Sequence, residues 1–135
     1  MDEALLAAFL DTDYRVRLPR GGTATIRIGA PLPETLRMLA GGRPWGFLTA
    51  WNPGSVPQPR PVNRQAQRRL LADLRARADV ELRAGLGVGR DGWREASLWV
   101  LGLDEDALAG LGRRYRQHAW LYGRGDAPAR LRWRD

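Results

Sequence analysis

Trp45-Gly46-Phe47-Leu48-Thr49-Ala50-Trp51, followed at once by Asn52-Pro53-Gly54-Ser55, is the stretch on which the reading of this chain turns. Apart from Thr49 the run is apolar at odd and even positions alike. A strand with one wet face alternates; one that is apolar throughout sits inside a sheet covered on both sides. Pro53-Gly54 suits the two middle places of a type II turn, where glycine supplies the positive φ. A buried strand thus carries Asn52 and Ser55 into a tight loop, a common way to build a site.

Downstream, Pro57, Pro59 and Pro61 stiffen the loop, and Pro61 opens a helix. Val62, Ala66, Leu70, Leu74 and Ala78 recur every four residues as its buried stripe, with Arg69, Asp73 and Arg77 exposed. Glu81 to Val88 and Arg94 to Leu101 read as strands joined through the hairpin signal Asp91-Gly92. Asp104 caps a helix that turns Leu108, Leu111 and Tyr115 inward, and Leu103 with Leu108 has staple spacing. Ala119 to Tyr122 is a further strand, and Leu131 to Trp133 a last short one. Upstream, Asp2 to Leu10 is a short helix with Leu5, Leu6 and Phe9 on one side. Tyr14 to Leu18 and Ala24 to Ile28 alternate as a hairpin around Gly21-Gly22. Pro33 to Ala40 is a helix closed by Gly41-Gly42.

From Trp45 to Tyr122 the order is therefore β-α-β-β-α-β. The expected class is α+β: a two-layer, ferredoxin-like βαββαβ core with an N-terminal helix and β-hairpin added. In that topology the Trp45 strand lies between those beginning at Arg94 and Ala119. Asn52, Glu95, Gln117 and His118 then gather at one end of the sheet, with Asn63 arriving there at the start of its helix.

The 135 residues fit a single domain with a core of its own; 44% are hydrophobic and 27% charged. Cysteine is absent, which excludes disulfides, thiolate metal sites and thiol nucleophiles. The early apolar run Ala4 to Leu10 is too short to span a bilayer and follows Asp2 and Glu3, so a cytoplasmic location without membrane contact is expected. Net charge is +7, and all 22 strongly basic residues are arginine. They are spread from Arg15 to Arg134, as GC-rich coding would scatter them. A dedicated nucleic-acid protein concentrates them instead.

The blocks Thr49-Ala50-Trp51-Asn52-Pro53 with Ser55, then Asn63, then Gly92-Trp93-Arg94-Glu95-Ala96-Ser97, then Tyr115-Arg116-Gln117-His118-Ala119 resemble a bacterial family of uncharacterised proteins, the domain of unknown function 3293. The resemblance runs from about Tyr14 to about Tyr122. In that family the last block reads Phe-Gly-Gln-Asn-Ala, from which Arg116 and His118 depart. The family has no established activity, so the resemblance implies a residue set and no reaction.

Those residues define the expected site: Asn52, Ser55, Asn63, Glu95 and Gln117 as a polar recognition site for an unknown small ligand or protein, used for non-enzymatic binding. Asn52 and Ser55 are equally suited to holding their own turn, and Asn63 to bonding the backbone of the loop before it. Glu95 shares a strand face with Ser97 and Trp99. If that face is covered, the carboxyl must pair with an arginine or hold its proton. The plainer reading is a buried Glu-Arg pair; the sharper one is an enzyme using Glu95 as acid or base. Arg64 and Arg68, one helical turn apart, are candidates for binding an anion, or simply solvated. An RNA- or DNA-binding accessory role through arginines and through Trp93 and Trp133 is the other alternative. No catalytic residue, metal or cofactor is assigned. One histidine without cysteine makes a poor transition-metal site, Asp104-Glu105-Asp106 is helix-start chemistry, and Gly85-x-Gly87-x-Gly89 lacks the following helix of a dinucleotide fingerprint.

Overall fold

The computed structural model describes residues 2–134. In chain order the elements are helix α1 (Glu3–Leu10), strands β1 (Asp13–Arg17) and β2 (Thr23–Ile26), helix α2 (Glu34–Ala40), strand β3 (Pro44–Leu48), helix α3 (Arg60–Arg75), strands β4 (Glu81–Val88) and β5 (Arg94–Leu101), helix α4 (Glu105–Arg114), and strands β6 (Ala119–Arg124) and β7 (Arg130–Trp133). The strands form one curled, antiparallel, seven-stranded sheet in the order β2-β1-β4-β5-β3-β6-β7. β3 lies between β5 and β6, the place its two apolar faces require. The N-terminal hairpin extends the same sheet beyond β4.

Two clusters of buried side chains explain why β3 is apolar throughout. Trp45 and Phe47 join Tyr14, Val16, Ile26, Leu36, Trp99, Leu101 and Leu121 on one face, where α2 and Phe9 of α1 pack. Leu48 joins Leu98, Val100 and Trp120 on the other, against Leu70 and Leu74 of α3 and Leu108 and Leu111 of α4. Each fully buried leucine contributes about 1.5–3 kcal/mol relative to exposure. Helices therefore cover both faces, and the expected two-layer arrangement is corrected. The N-terminal elements carry enough apolar surface (Phe9, Leu36, Ala40) to close the face left open by α3 and α4.

Two local expectations also shift. β3 ends at Leu48, three residues before Trp51, because the Thr49 hydroxyl donates to Ala96 O at 2.6 Å and accepts from Trp51 N–H at 3.0 Å, turning the chain out of the ladder. In α3 only the middle of the expected stripe is buried: Leu70 and Leu74 are fully so, whereas Val62 and Ala78 are exposed. Asn63 occupies the buried place near the helix start instead.

Candidate functional site

The sheet's curl leaves a cavity of about 450 Å³ on the face toward α1. Cross-strand register shows how its floor is made. Tyr14 of β1 stands opposite Gly87 of β4, and Gly87 stands opposite Glu95 of β5. Glycine in the middle of this row removes the side chain that would otherwise fill the space between a phenol and a carboxyl. A Cβ on Gly87 would touch nothing closer than 3.7 Å, so the opening above it is real room. The next glycine in the row serves packing: a Cβ on Gly85 would stand 2.8 Å from the Phe47 ring. Leu5, Ala8, Phe9, Phe47, Leu121 and Leu131 supply apolar wall. Tyr14 meets Phe47 edge to face with centroids 5.4 Å apart, and its hydroxyl donates to Phe9 O at 2.6 Å, tying α1 to the sheet.

Glu95 lines this cavity, and it forms no ion pair among the described residues. The expected Glu-Arg pair is thus corrected. The arginines nearby are engaged elsewhere or turned outward: Arg90, at the cavity mouth, lies 3.7 Å from Asp11 and is largely exposed. Burial pushes the Glu95 carboxyl above its ordinary range, with Trp93 pulling the other way. The same burial holds the Tyr14 phenol well up, Thr12 opposing and the Glu95 charge adding to it.

Four other polar residues of the expected site fall into two groups. Asn52, Ser55 and Gln117 line the cavity with Glu95. Asn63 does not; it fastens the loop from behind. Its Oδ1 accepts from Asn52 N–H at 2.8 Å, and its Nδ2 donates to Asn52 Oδ1 at 2.7 Å and to Gln58 O at 3.4 Å. Asn52 Oδ1 also accepts from Gln58 N–H at 3.0 Å, which fixes that amide's orientation and leaves its Nδ2 without a protein partner among the described residues. Ser55 N–H returns to Asn52 O at 2.9 Å around Gly54 at φ 66°, the geometry expected of Pro53-Gly54. Asn52 itself takes φ 45°, a left-handed position that asparagine tolerates better than most residues. Gln117 donates through Nε2 to Trp51 O and Tyr115 O, both at 3.2 Å, so its Oε1 is the end left over.

Arg64 and Arg68 are exposed on α3, which packs on the opposite face of the sheet, and neither lines the cavity. His118 lines it alongside Gln117. Tyr14, Phe9 and Gly87 were not legible as site residues; the alternate glycines of β4 were the available signal, since glycine inside a strand marks close approach or open space. Trp93, a base-stacking candidate in the nucleic-acid alternative, stands at the cavity and is 43% exposed. A second, shallower groove lies between α3 and the end of α4. There the Tyr115 hydroxyl donates to Asp73, and burial together with that bond pushes Tyr115 up to about 12. Among the described residues no cluster of three metal-ligating side chains occurs, and no helix is long and apolar enough to cross a membrane.

The model of a family described as a protein of unknown function (DUF3293) matches residues 48–120, and the chain belongs to that family. The match begins at the end of β3 and closes within β6, enclosing Asn52, Ser55, Asn63, Glu95 and Gln117. No curated protein and no solved structure matches the chain.

Proposed function

We propose that this member of the family is a non-enzymatic binding protein that takes a small, largely apolar molecule into the concave cavity. Glu95 anchors it, and Asn52, Ser55 and Gln117 contribute the polar contacts. The observation that carries this reading is Glu95 itself, an unpaired carboxyl in an apolar, solvent-reachable recess of a chain rich in arginine. A carboxyl buried at a cost in stability, with Trp93 beside it and no cation to balance it, is a feature of sites. The β4-β5-β3-β6 order with α3 and α4 on one face supports treating Trp45 to Tyr122 as ferredoxin-like. A cysteine-free composition agrees with a cytoplasmic setting.

The test uses N-phenylnaphthylamine, a neutral dye that brightens in apolar pockets. Bright, saturable binding by the natural chain is expected, with loss in Gly87→Leu, which fills the floor, and in Ala8→Trp, which blocks the α1 side. Binding unchanged in both folded variants would falsify the assignment. Acid-base catalysis by Glu95 is favoured as a second reading by the same unpaired carboxyl and its raised proton affinity. An enzyme predicts that Glu95→Gln retains ligand and loses turnover, whereas an anchor predicts weakened binding. The nucleic-acid reading has less support, because Arg64 and Arg68 lie across the sheet from Trp93.

A further inference from the structure

We infer that the ligand carries an organic ammonium group, seated against Glu95 and the aromatic rings beside it, on an apolar body that fills the rest of the cavity. This rests on the cavity being a binding site and adds the charge of what it binds. Three observations converge on a cation. Among the described residues, the chain pairs its other half-buried acids: Asp13 with Arg15 and Arg27, Glu81 with Arg43 and Arg83, Asp73 with Arg114, Glu105 with Arg132. Glu95, the half-buried acid that lines the cavity, has no such partner among the described residues, although the net charge is +7.

The walls next to Glu95 are aromatic. Tyr14 is two strands away across Gly87, Trp93 is two residues before it, and Phe47 packs on Tyr14. Rings of this kind attract a cation through their faces, and a carboxylate beside them completes an ammonium site. The remaining protein charge at the cavity does not oppose a cation. Asp11 and Asp91 are acidic, and Arg90 is drawn outward to Asp11. Gln117 Oε1, freed by the two bonds of its Nε2, offers a further acceptor to an N–H donor.

Titration calorimetry with three probes sharing one aromatic body separates the possibilities: naphthylmethylamine, naphthylmethanol and naphthoate. The amine is expected to bind about tenfold or more tightly than the alcohol, and naphthoate most weakly, since a charge-assisted hydrogen bond is worth about one decade or more in affinity. Glu95→Gln should weaken the amine about tenfold or more and the alcohol far less, so that the preference between the two is lost. If amine and alcohol bind equally, and Ala8→Trp abolishes both, the cavity reading stands and the ammonium assignment falls. Preference for naphthoate overturns the assignment as well, and binding of none of the three overturns both.

Discussion

Glu95 and Asn63 show opposite ways in which a polar side chain can be buried. Asn63, 2% exposed, has every bond it makes returned by the loop. Asn63→Ala would strand Asn52 N–H and Gln58 O and leave Asn52 Oδ1 with Gln58 N–H alone, and a loss of about 2–4 kcal/mol is expected in urea denaturation at unchanged m-value. Asn63→Asp should cost more, because an oxygen then faces Asn52 Oδ1 and Gln58 O where a donor stood. Glu95 has the reverse profile, and pH exposes it. Its carboxyl holds a proton more firmly in the folded chain than at the ordinary value of 4.5. Below that value it is neutral in both states and its burial is harmless. As pH rises, the unfolded chain releases the proton first, and stability declines until the folded chain has released it too. The charged or titratable neighbours at the cavity are Tyr14, Asp11, Arg90, Asp91 and His118, and only Arg90 is a fixed cation, held toward Asp11. Glu95→Gln should therefore raise Tm near about pH 8 and leave it unchanged near about pH 4. A variant that is destabilised at both would show Glu95 to be a packing residue. Ammonium binding should tighten over the same pH interval, as the carboxylate becomes available.

Among the elements, α4 offers a paired test of how glycine is used. Gly110 and Gly112 lie two residues apart in a helix whose interior disfavours glycine by about 0.8–1.0 kcal/mol relative to alanine. A Cβ on Gly110 meets nothing within 4 Å, whereas one on Gly112 would stand 2.2 Å from the Trp120 ring. Gly110→Ala should stabilise by about 0.5–1 kcal/mol and Gly112→Ala destabilise by about 1–3 kcal/mol in the same thermal or urea assay. Equal effects would mean that Trp120 has room to move. Elements of this kind were legible wherever one physical rule dominated. Period-four apolar spacing gave α3, the Asp91-Gly92 turn fixed β4 and β5 to their ends, and Asp104 caps α4 by accepting from Ala107 N–H at 2.8 Å. Boundaries moved where a side chain competed with the ladder, as Thr49 does. The buried stripe of α3 is shorter than its spacing predicts, because spacing says which residues share a face but not how far the sheet beneath them extends.

At the scale of the whole molecule, curvature decides where a ligand can go, and curvature has no local signature in sequence. Glu95, Asn52 and Gln117 could be placed at one end of a sheet from strand order alone. That α1 would arch over them, with Tyr14 and Gly87 beneath, depended on the twist of seven strands and on which face the N-terminal helix chose. The consequence is a division of stability. β3 and β5 are packed on both faces, with Trp45, Trp99, Val100 and Leu101 inaccessible to solvent. α1 has no buried residue and is held through Phe9, which packs on Trp133 with centroids 5.5 Å apart, and through the Tyr14 hydroxyl. Local opening free energy follows such differences in buried apolar contact. Amide hydrogen exchange followed by mass spectrometry should find α1 exchanging at least about a hundredfold faster than β3 and β5, since a difference of roughly 3 kcal/mol in opening free energy suffices. Naphthylmethylamine should slow α1 and β1 while leaving α2 unaffected, because α2 packs on the same face but does not line the cavity. Protection of α1 equal to that of β5 in the free protein would instead make the helix a fixed lid, and a ligand would then have to enter past Trp93 and Arg90 at the β4–β5 turn.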